Sequence, residues 1–179
     1  KKGNVTTAYR VARKNAFIEI GNLMASFQRM SQEPKSKQKK IVLLYKLTEL
    51  NHSLLSSTAS LGTYTQSHKT TPSSKALTIV VEKVLKNLEQ AIAYLKGESI
   101  NDSNEITKEE LANRFIELKN IRQNELKEGN PIDEEAFALK MQEAQLVIEQ
   151  LIWLTNLSEG ILKNTKKLMK TIDYIPTSK

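Results

Sequence analysis

Few residues in this 179-residue chain could do acid–base, nucleophilic or metal chemistry, and they are scattered. It has two histidines, His52 and His68, and no cysteine, which excludes disulfides, thiolate catalysis and Cys-based zinc sites. The acidic pairs Glu109–Glu110 and Glu134–Glu135 fall in the first turns of predicted helices, where carboxylates favourably meet the helix dipole. No glycine-rich phosphate loop or Gly-x-Ser-x-Gly motif occurs. We therefore predict a protein that is not an enzyme, with no catalytic residue, cofactor or metal, and we interpret His52 as a helix-packing or interface histidine.

Positive charge is concentrated in the first quarter of the chain. Residues 1–46 carry a net charge of +9 and the remaining residues −2, which together give the overall +7. Such a basic segment suits the phosphates of nucleic acid or of a membrane surface, whereas a solvated helix face is the simpler explanation. Because aromatic residues are few and no nucleic-acid-binding module is recognisable, we do not expect nucleic acid to be the partner.

The elements that must position these residues are helices. Apolar residues recur at 3-4 spacing along most of the chain, and no β-type alternation is present. The predicted fold class is all-α, an antiparallel bundle of about five helices in a single domain, 1–179. The predicted helices span about 5–32, 35–67, 72–96, 107–127 and 132–174. We expect helices three and four to lie end to end along the long helices; the alternative is a four-helix bundle with one helix appended.

The same repeats predict which face of each helix is buried. Gly21 in helix one suggests that another helix passes close by, and Gly160 is a place where helix five could bend or split. An exposed apolar seam on helix five would indicate self-association. The predicted seams are Ala16, Ile20, Leu23, Phe27 and Met30 in helix one; Leu77, Val81, Val84, Leu88, Ala91 and Leu95 in helix three; and Phe137, Met141, Ala144, Ile148, Leu151, Thr155, Ser158, Leu162, Thr165, Met169 and Ile172 in helix five.

Capping signals mark several helix ends. Pro34 suits the first turn of helix two, and Thr71–Pro72 suits the start of helix three. Gly97 is expected to end helix three in the left-handed conformation. Thr107 and Glu110 have the spacing of a capping box, and Asn130 or Asp133 is expected to cap helix five.

A resemblance rests on the segment from Tyr9 to Gln38. It resembles the cytoplasmic region of the YccS-like branch of the fusaric-acid-resistance (FUSC) family of bacterial inner-membrane proteins. Together the matching blocks cover about a third of the chain. They are Tyr9-Arg10, Ala12-Arg13-Lys14, Ala16, Leu23, Phe27-Gln28-Arg29-Met30 and Glu33-Pro34-Lys35-Ser36-Lys37-Gln38, followed by Leu50-Asn51-His52 with Leu54 and by Ala59-Ser60-Leu61.

The resemblance implies a non-catalytic regulatory or assembly domain of a membrane transporter that exports aromatic acids or related compounds. Its partners would be the transmembrane domain of the same polypeptide, anionic lipid headgroups near the basic quarter, and a second copy in a homo-oligomer. The domain would lie on the cytoplasmic side of the bacterial inner membrane. The candidate hairpin and interaction residues are Arg10, Arg13, Lys14, Arg29, Glu33, Lys35, Lys37, Gln38, Asn51 and His52. Among them, Arg29, Glu33 and Lys35 are expected to form a charge cluster that locks the first hairpin.

An alternative function is a stand-alone helical module that binds nucleic acid or a protein through its basic N-terminal quarter.

The chain does not begin with Met, so we expect it to be a piece of a longer membrane protein. It contains no run of 18 apolar residues, so we expect no membrane-spanning segment within these residues.

Overall fold

The chain is helical throughout the part that the structure describes. A computed structural model describes residues 2–38, 40–67, 75–98, 106–128 and 134–173. No strand occurs in these ranges, which confirms the predicted all-α bundle. The elements are helices α1 (Lys2–Ser31), α2 (Ile41–Ser67), α3 (Lys75–Lys96), α4 (Lys108–Glu128) and α5 (Glu134–Asp173), with one 3₁₀ turn at Lys35–Lys37.

The longest helix, α5, is the axis of the bundle. It contacts α2, α3 and α4, whereas α1 contacts only α2 among the described helices. Val80 of α3, Leu111 of α4 and Leu151 of α5 share one buried cluster, so α3 and α4 lie side by side. The expected end-to-end arrangement is therefore wrong, because both helices bury apolar side chains at the same level of α5. The described helices agree with the alternative in that α1 is appended to α2, but α2 has no backbone contact with α3 or α4, so α2 to α5 do not form a closed four-helix bundle.

Two interhelical contacts fix the direction of α2. Asn164 of α5 donates from Nδ2 to the carbonyl oxygen of Leu43 at 2.7 Å, near the start of α2. Two turns further into α2, Leu50 lies against Gly160, so close that a β-carbon there would be 3.3 Å from Leu50 Cδ2. Position numbers rise on one helix as they fall on the other, so α2 and α5 are antiparallel. Gly160 does not split α5, which is continuous from Glu134 to Asp173; its missing side chain leaves space for Leu50.

Helix α3, in contrast, runs parallel to α5. Asn87 donates from Nδ2 to Ser158 Oγ at 2.9 Å. Seven residues further along α3 and eight further along α5, the Lys166 ammonium lies 5.0 Å from the centre of the Tyr94 ring. The offset between the two helices changes by only one residue over this distance, as expected of two parallel helices that pack side by side.

Helices α1 and α2 form an antiparallel hairpin. The Phe27 and Tyr45 rings pack at 5.6 Å between centroids near the turn, and Tyr9 lies against Gly62 at the far end. All five residues of the seam predicted for α1 are partly buried. Gly21 is exposed, and nothing in the described structure lies within 4 Å of where its β-carbon would be. The expected close helix at Gly21 is therefore wrong, because α1 packs on a single neighbour.

The hairpin turn is longer than predicted. Helix α2 begins at Ile41 rather than Lys35, because Pro34 is extended (ψ 143°) and only a 3₁₀ turn follows it. The Gln38 side chain closes this turn: its Nε2 donates to the carbonyl oxygens of Ser31 at 2.8 Å and Glu33 at 2.6 Å. Carbonyl groups at a helix C-terminus lack intrahelical partners, so Gln38 satisfies one at the end of α1 and one just beyond it.

Replacing Gln38 with Ala should lower the free energy of unfolding by about 1 kcal/mol, because two solvent-accessible hydrogen bonds are lost. The loss should appear as a lower urea midpoint, followed by circular dichroism at 222 nm. Gln28→Ala, at an exposed position of α1, is the matched control and should change stability by less than about 0.5 kcal/mol. Equal effects at the two positions would show that Gln38 does not hold the turn.

The buried face of α3 is displaced by about one residue from the predicted seam. Val81 and Leu95, two of the seam residues, are 43% and 50% exposed. The predicted seam is therefore wrong at these two positions, because the facing surface of α5 is rich in buried hydroxyls and accepts polar neighbours. It is confirmed at Ala91, which is buried, and at Leu77, Val84 and Leu88, which are partly buried. The residues of α3 that are buried are Val80, Lys83, Asn87, Gln90 and Ala91.

The seam predicted for α5 is confirmed where the structure describes it. Its residues from Ile148 to Thr165 are buried, and Phe137, Met141, Ala144 and Met169 are partly buried; the side chain of Ile172 lies outside the described part. The predicted seam is therefore not the exposed face. A different stripe of α5, at seven-residue spacing, is exposed: Leu139, Leu146 and Trp153.

Two of the predicted caps are present. Gly97 ends α3 with φ 73°, and its N–H donates to the Tyr94 carbonyl oxygen at 3.1 Å. Thr107 caps α4, since its Oγ1 accepts from the Glu110 N–H at 3.1 Å. The Glu110 carboxylate lies 3.8 Å from the Arg114 guanidinium. The other predicted caps, Thr71 and Asn130 or Asp133, lie outside the described residues, as does His68.

Candidate functional site

The ten residues singled out in the N-terminal hairpin do not meet in one site. Arg10, Arg13 and Lys14 are exposed on α1, where the Arg13 guanidinium lies 5.6 Å from the Phe17 ring centre. Arg29, at the other end of α1, is about 28 Å away from Arg10 at 1.5 Å rise per residue. The residues at or beside the turn are Arg29, Glu33, Lys35, Lys37 and Gln38.

The expected charge cluster at the turn is not formed. No ion pair joins Arg29, Glu33 and Lys35 to one another in the described structure, and all three are exposed. Arg29 instead bonds to the Ser26 hydroxyl one turn back, at 3.0 Å. An exposed ion pair gains little in water, whereas Gln38 reaches two carbonyl groups that make no other hydrogen bond in the described part of the chain. The side-chain amide of Gln38 therefore stabilises the hairpin turn, a role that was predicted for Arg29, Glu33 and Lys35.

Asn51 and His52 lie midway along α2. Asn51 is partly buried and donates from Nδ2 to the Leu47 carbonyl oxygen of its own helix at 2.8 Å. His52 is exposed, so it does not pack between helices. Glu49 stands three residues before His52, the Glu-x-x-His spacing of di-iron bundles. The Glu49 carboxylate pairs with Lys46 at 3.0 Å, and the described residues contain no group of three or more potential metal ligands.

A basic cavity lies where α3, α5 and the start of α4 meet. Its volume is about 560 Å³, within the range of small-molecule sites. Glu159 is the only carboxylate among the lining residues that the structure describes, so the described lining has a formal net charge of +4. Five lysines contribute to it: Lys83, Lys163, Lys166, Lys167 and Lys170.

Four of these lysines come from one stripe of α5. They stand at the i, i+3, i+4 and i+7 positions, which share a face of a helix. The Lys166 ammonium is held beside the Tyr94 ring of α3, at 5.0 Å from its centre. Such an arrangement places several ammonium groups on one side of the cavity.

The opposite side is polar and more deeply buried. Lys83 and Asn87 of α3 are only 4% and 1% exposed, and both line the cavity. Asn87 is held by its hydrogen bond to Ser158 Oγ, whose hydroxyl in turn donates to the Thr155 carbonyl oxygen at 2.8 Å. Because Asn87 is fixed by a bond across the α3–α5 interface, this polar wall is part of the core.

The N-terminus of α4 borders the same cavity. Its cap residue, Thr107, is among the lining residues. The N-terminal end of a helix carries partial positive charge and free N–H groups, which favour anions. The positive charge of this concave site therefore comes from the lysines of α3 and α5, because Glu109 and Glu110 in the first turn of α4 offset the dipole of that helix.

The cavity was not predicted from the sequence. The stripe of lysines at positions 163 to 170 is visible there, but basic residues near a helix C-terminus are ordinarily explained by the helix dipole. The sequence did not predict that Lys83 and Asn87 line a cavity, because the apolar repeat of α3 indicated a different buried face. Charge counting along the chain pointed only to residues 1–46.

No protein-family model, curated protein or solved structure matches this chain. None of the described helices is both long and apolar enough to cross a membrane.

Proposed function

We propose that this chain is a non-catalytic regulatory or assembly domain of a FUSC-type bacterial membrane transporter. In this proposal it lies on the cytoplasmic side of the inner membrane, as part of a polypeptide that also contains the transmembrane domain. The transporter would export aromatic acids or related compounds, as the resemblance of residues 9–38 implies.

One observation carries the proposal. Helix α1, which holds eleven of the matching residues, packs on α2 alone among the described helices and leaves Arg10, Arg13 and Lys14 exposed. Cytoplasmic segments close to membrane-spanning helices are rich in Lys and Arg, and each basic residue near an anionic surface contributes about 1 kcal/mol of attraction. An appended basic helix is therefore suited to lie next to a bilayer.

A flotation assay tests the membrane contact. The chain should float with phosphatidylglycerol-containing vesicles at low salt and not with neutral vesicles. Reversing three charges in R10E/R13E/K14E should weaken binding by about a hundredfold or more, since about 3 kcal/mol of attraction is removed. The control K119E/K127E/K140E makes the same charge change at exposed positions of α4 and α5 and should retain binding.

Two outcomes would contradict this function. Flotation that does not depend on anionic lipid would contradict a contact with lipid headgroups. A full-length reading frame with no membrane-spanning segment before Lys1 would contradict the assignment to a transporter.

The same exposed basic cluster also supports the alternative, an interaction module for nucleic acid. Tight binding of random duplex DNA, falling steeply with salt and lost in R10E/R13E/K14E, would favour that function over the first.

Self-association stays a prediction; exposed apolar side chains on α3 and α5, including Leu85, Ile92, Leu146 and Trp153, provide surface for it.

A further inference from the structure

We propose that the cavity between α3, α5 and the start of α4 binds a small soluble phosphorylated anion. The site is separate from the basic residues of α1 and does not depend on the proposed membrane contact. Its described lining has five lysines against Glu159, and its volume of about 560 Å³ is sufficient for a ligand of metabolite size.

The arrangement of donors favours phosphate. Lys163, Lys166, Lys167 and Lys170 extend over about 10 Å of one face of α5. Thr107, the residue that caps α4, adds a hydroxyl. A phosphate group carries nearly two negative charges and three acceptor oxygens, so one group can meet several of these donors at once. A single carboxylate would leave most of them without a counter-charge.

The lysine stripe is unfavourable without a ligand. Lys163 and Lys167 are an i, i+4 pair of like charge, as are Lys166 and Lys170, and such pairs destabilise a helix. Among the described residues no ion pair connects these four side chains to a carboxylate. A bound polyanion would offset this repulsion.

The concave shape of the site favours a soluble ligand over a membrane. Its lining comes from α3, α4 and α5 around a volume of about 560 Å³, whereas a flat lipid surface would contact only the exposed Lys163, Lys167 and Lys170. Lys83 and Asn87 line the cavity but are only 4% and 1% exposed, so the lysines of α5 and Thr107 are the groups that would bind the ligand directly.

Isothermal titration calorimetry with pyrophosphate tests the site. The unmodified chain should bind pyrophosphate, and K163E/K167E should weaken binding at least about tenfold, because two charge-assisted contacts are replaced by repulsion. The matched control K119E/K140E changes the net charge equally at exposed sites outside the cavity and should bind within about twofold of the unmodified chain. K163Q/K167Q, which only neutralises the pair, should be intermediate.

Several results would overturn the proposal. They are no binding of pyrophosphate by the unmodified chain, equal losses in the cavity and control variants, tighter binding of citrate than of pyrophosphate, or displacement of pyrophosphate by phosphatidylglycerol vesicles. Unchanged circular dichroism of K163E/K167E would establish that it is folded. R10E/R13E/K14E should bind pyrophosphate normally, so failure of the membrane contact and failure of this site are separate outcomes.

Discussion

Replacing Leu151 with Ala should lower the free energy of unfolding by about 2–5 kcal/mol. Leu151 is 5% exposed and shares a cluster with Val80 of α3 and Leu111 of α4, so it joins three helices at one level. Truncation loses the burial of three carbon atoms and leaves a cavity that three rigid helices cannot close fully. For a chain of this size the melting temperature should fall by about 5–15 °C.

Leu146→Ala is the matched control for this prediction. It is the same substitution in the same helix, but Leu146 is 62% exposed. Its effect should stay within about 0.5 kcal/mol. Urea unfolding followed by circular dichroism at 222 nm measures both. Similar losses in the two variants would show that Leu151 is not a core residue and that α4 does not pack as described.

The second large effect is expected at Asn87. Its side chain donates to Ser158 Oγ at 2.9 Å, and both residues are almost fully buried. Asn87→Ala should cost about 1–3 kcal/mol, since it removes this bond and leaves the Ser158 hydroxyl without its donor. Asn113→Ala, at an exposed position of α4, should be neutral or slightly stabilising because Ala is the better helix former.

A double-mutant cycle isolates the bond itself. Asn87→Ala, Ser158→Ala and the double variant should show a coupling of about 0.5–3 kcal/mol, because residues that share a buried hydrogen bond are not additive. A coupling near zero, with Asn87→Ala no worse than Asn113→Ala, would mean that this bond does not connect α3 to α5.

The hydrogen bond between Asn87 and Ser158 also favours one alignment of α3 along α5. Asn87 and Ser158 stand one heptad after Val80 and Leu151, the pair that packs in the same cluster. A buried polar pair that bonds across the interface disfavours shifted alignments, because a shift would break this bond. The register also brings Lys83 and Lys166 to the same cavity.

Much of the local structure follows from the sequence. The hairpin of α1 and α2, the seam of α5 and the caps at Gly97 and Thr107 were all predicted, since each depends on residues within a few turns of one another. The helix periodicity of α5 was sufficient because its apolar and small polar positions form a single unbroken stripe. The start of α2 was predicted too early. Pro34 is extended, and the Gln38 side chain bonds to the carbonyl oxygens of Ser31 and Glu33; residue spacing alone could not predict these bonds.

The sequence by itself determined that this protein is helical, where most helices end, and that its first quarter is basic. Only the tertiary structure decided which face of α3 is buried. Two stripes of α3 lie about one residue apart, and helix periodicity cannot choose between them; the hydroxyl-rich surface of α5 selects the one that carries Lys83 and Asn87. The cavity follows from that choice, because its lysines come from helices distant in sequence whose relative position is set by packing.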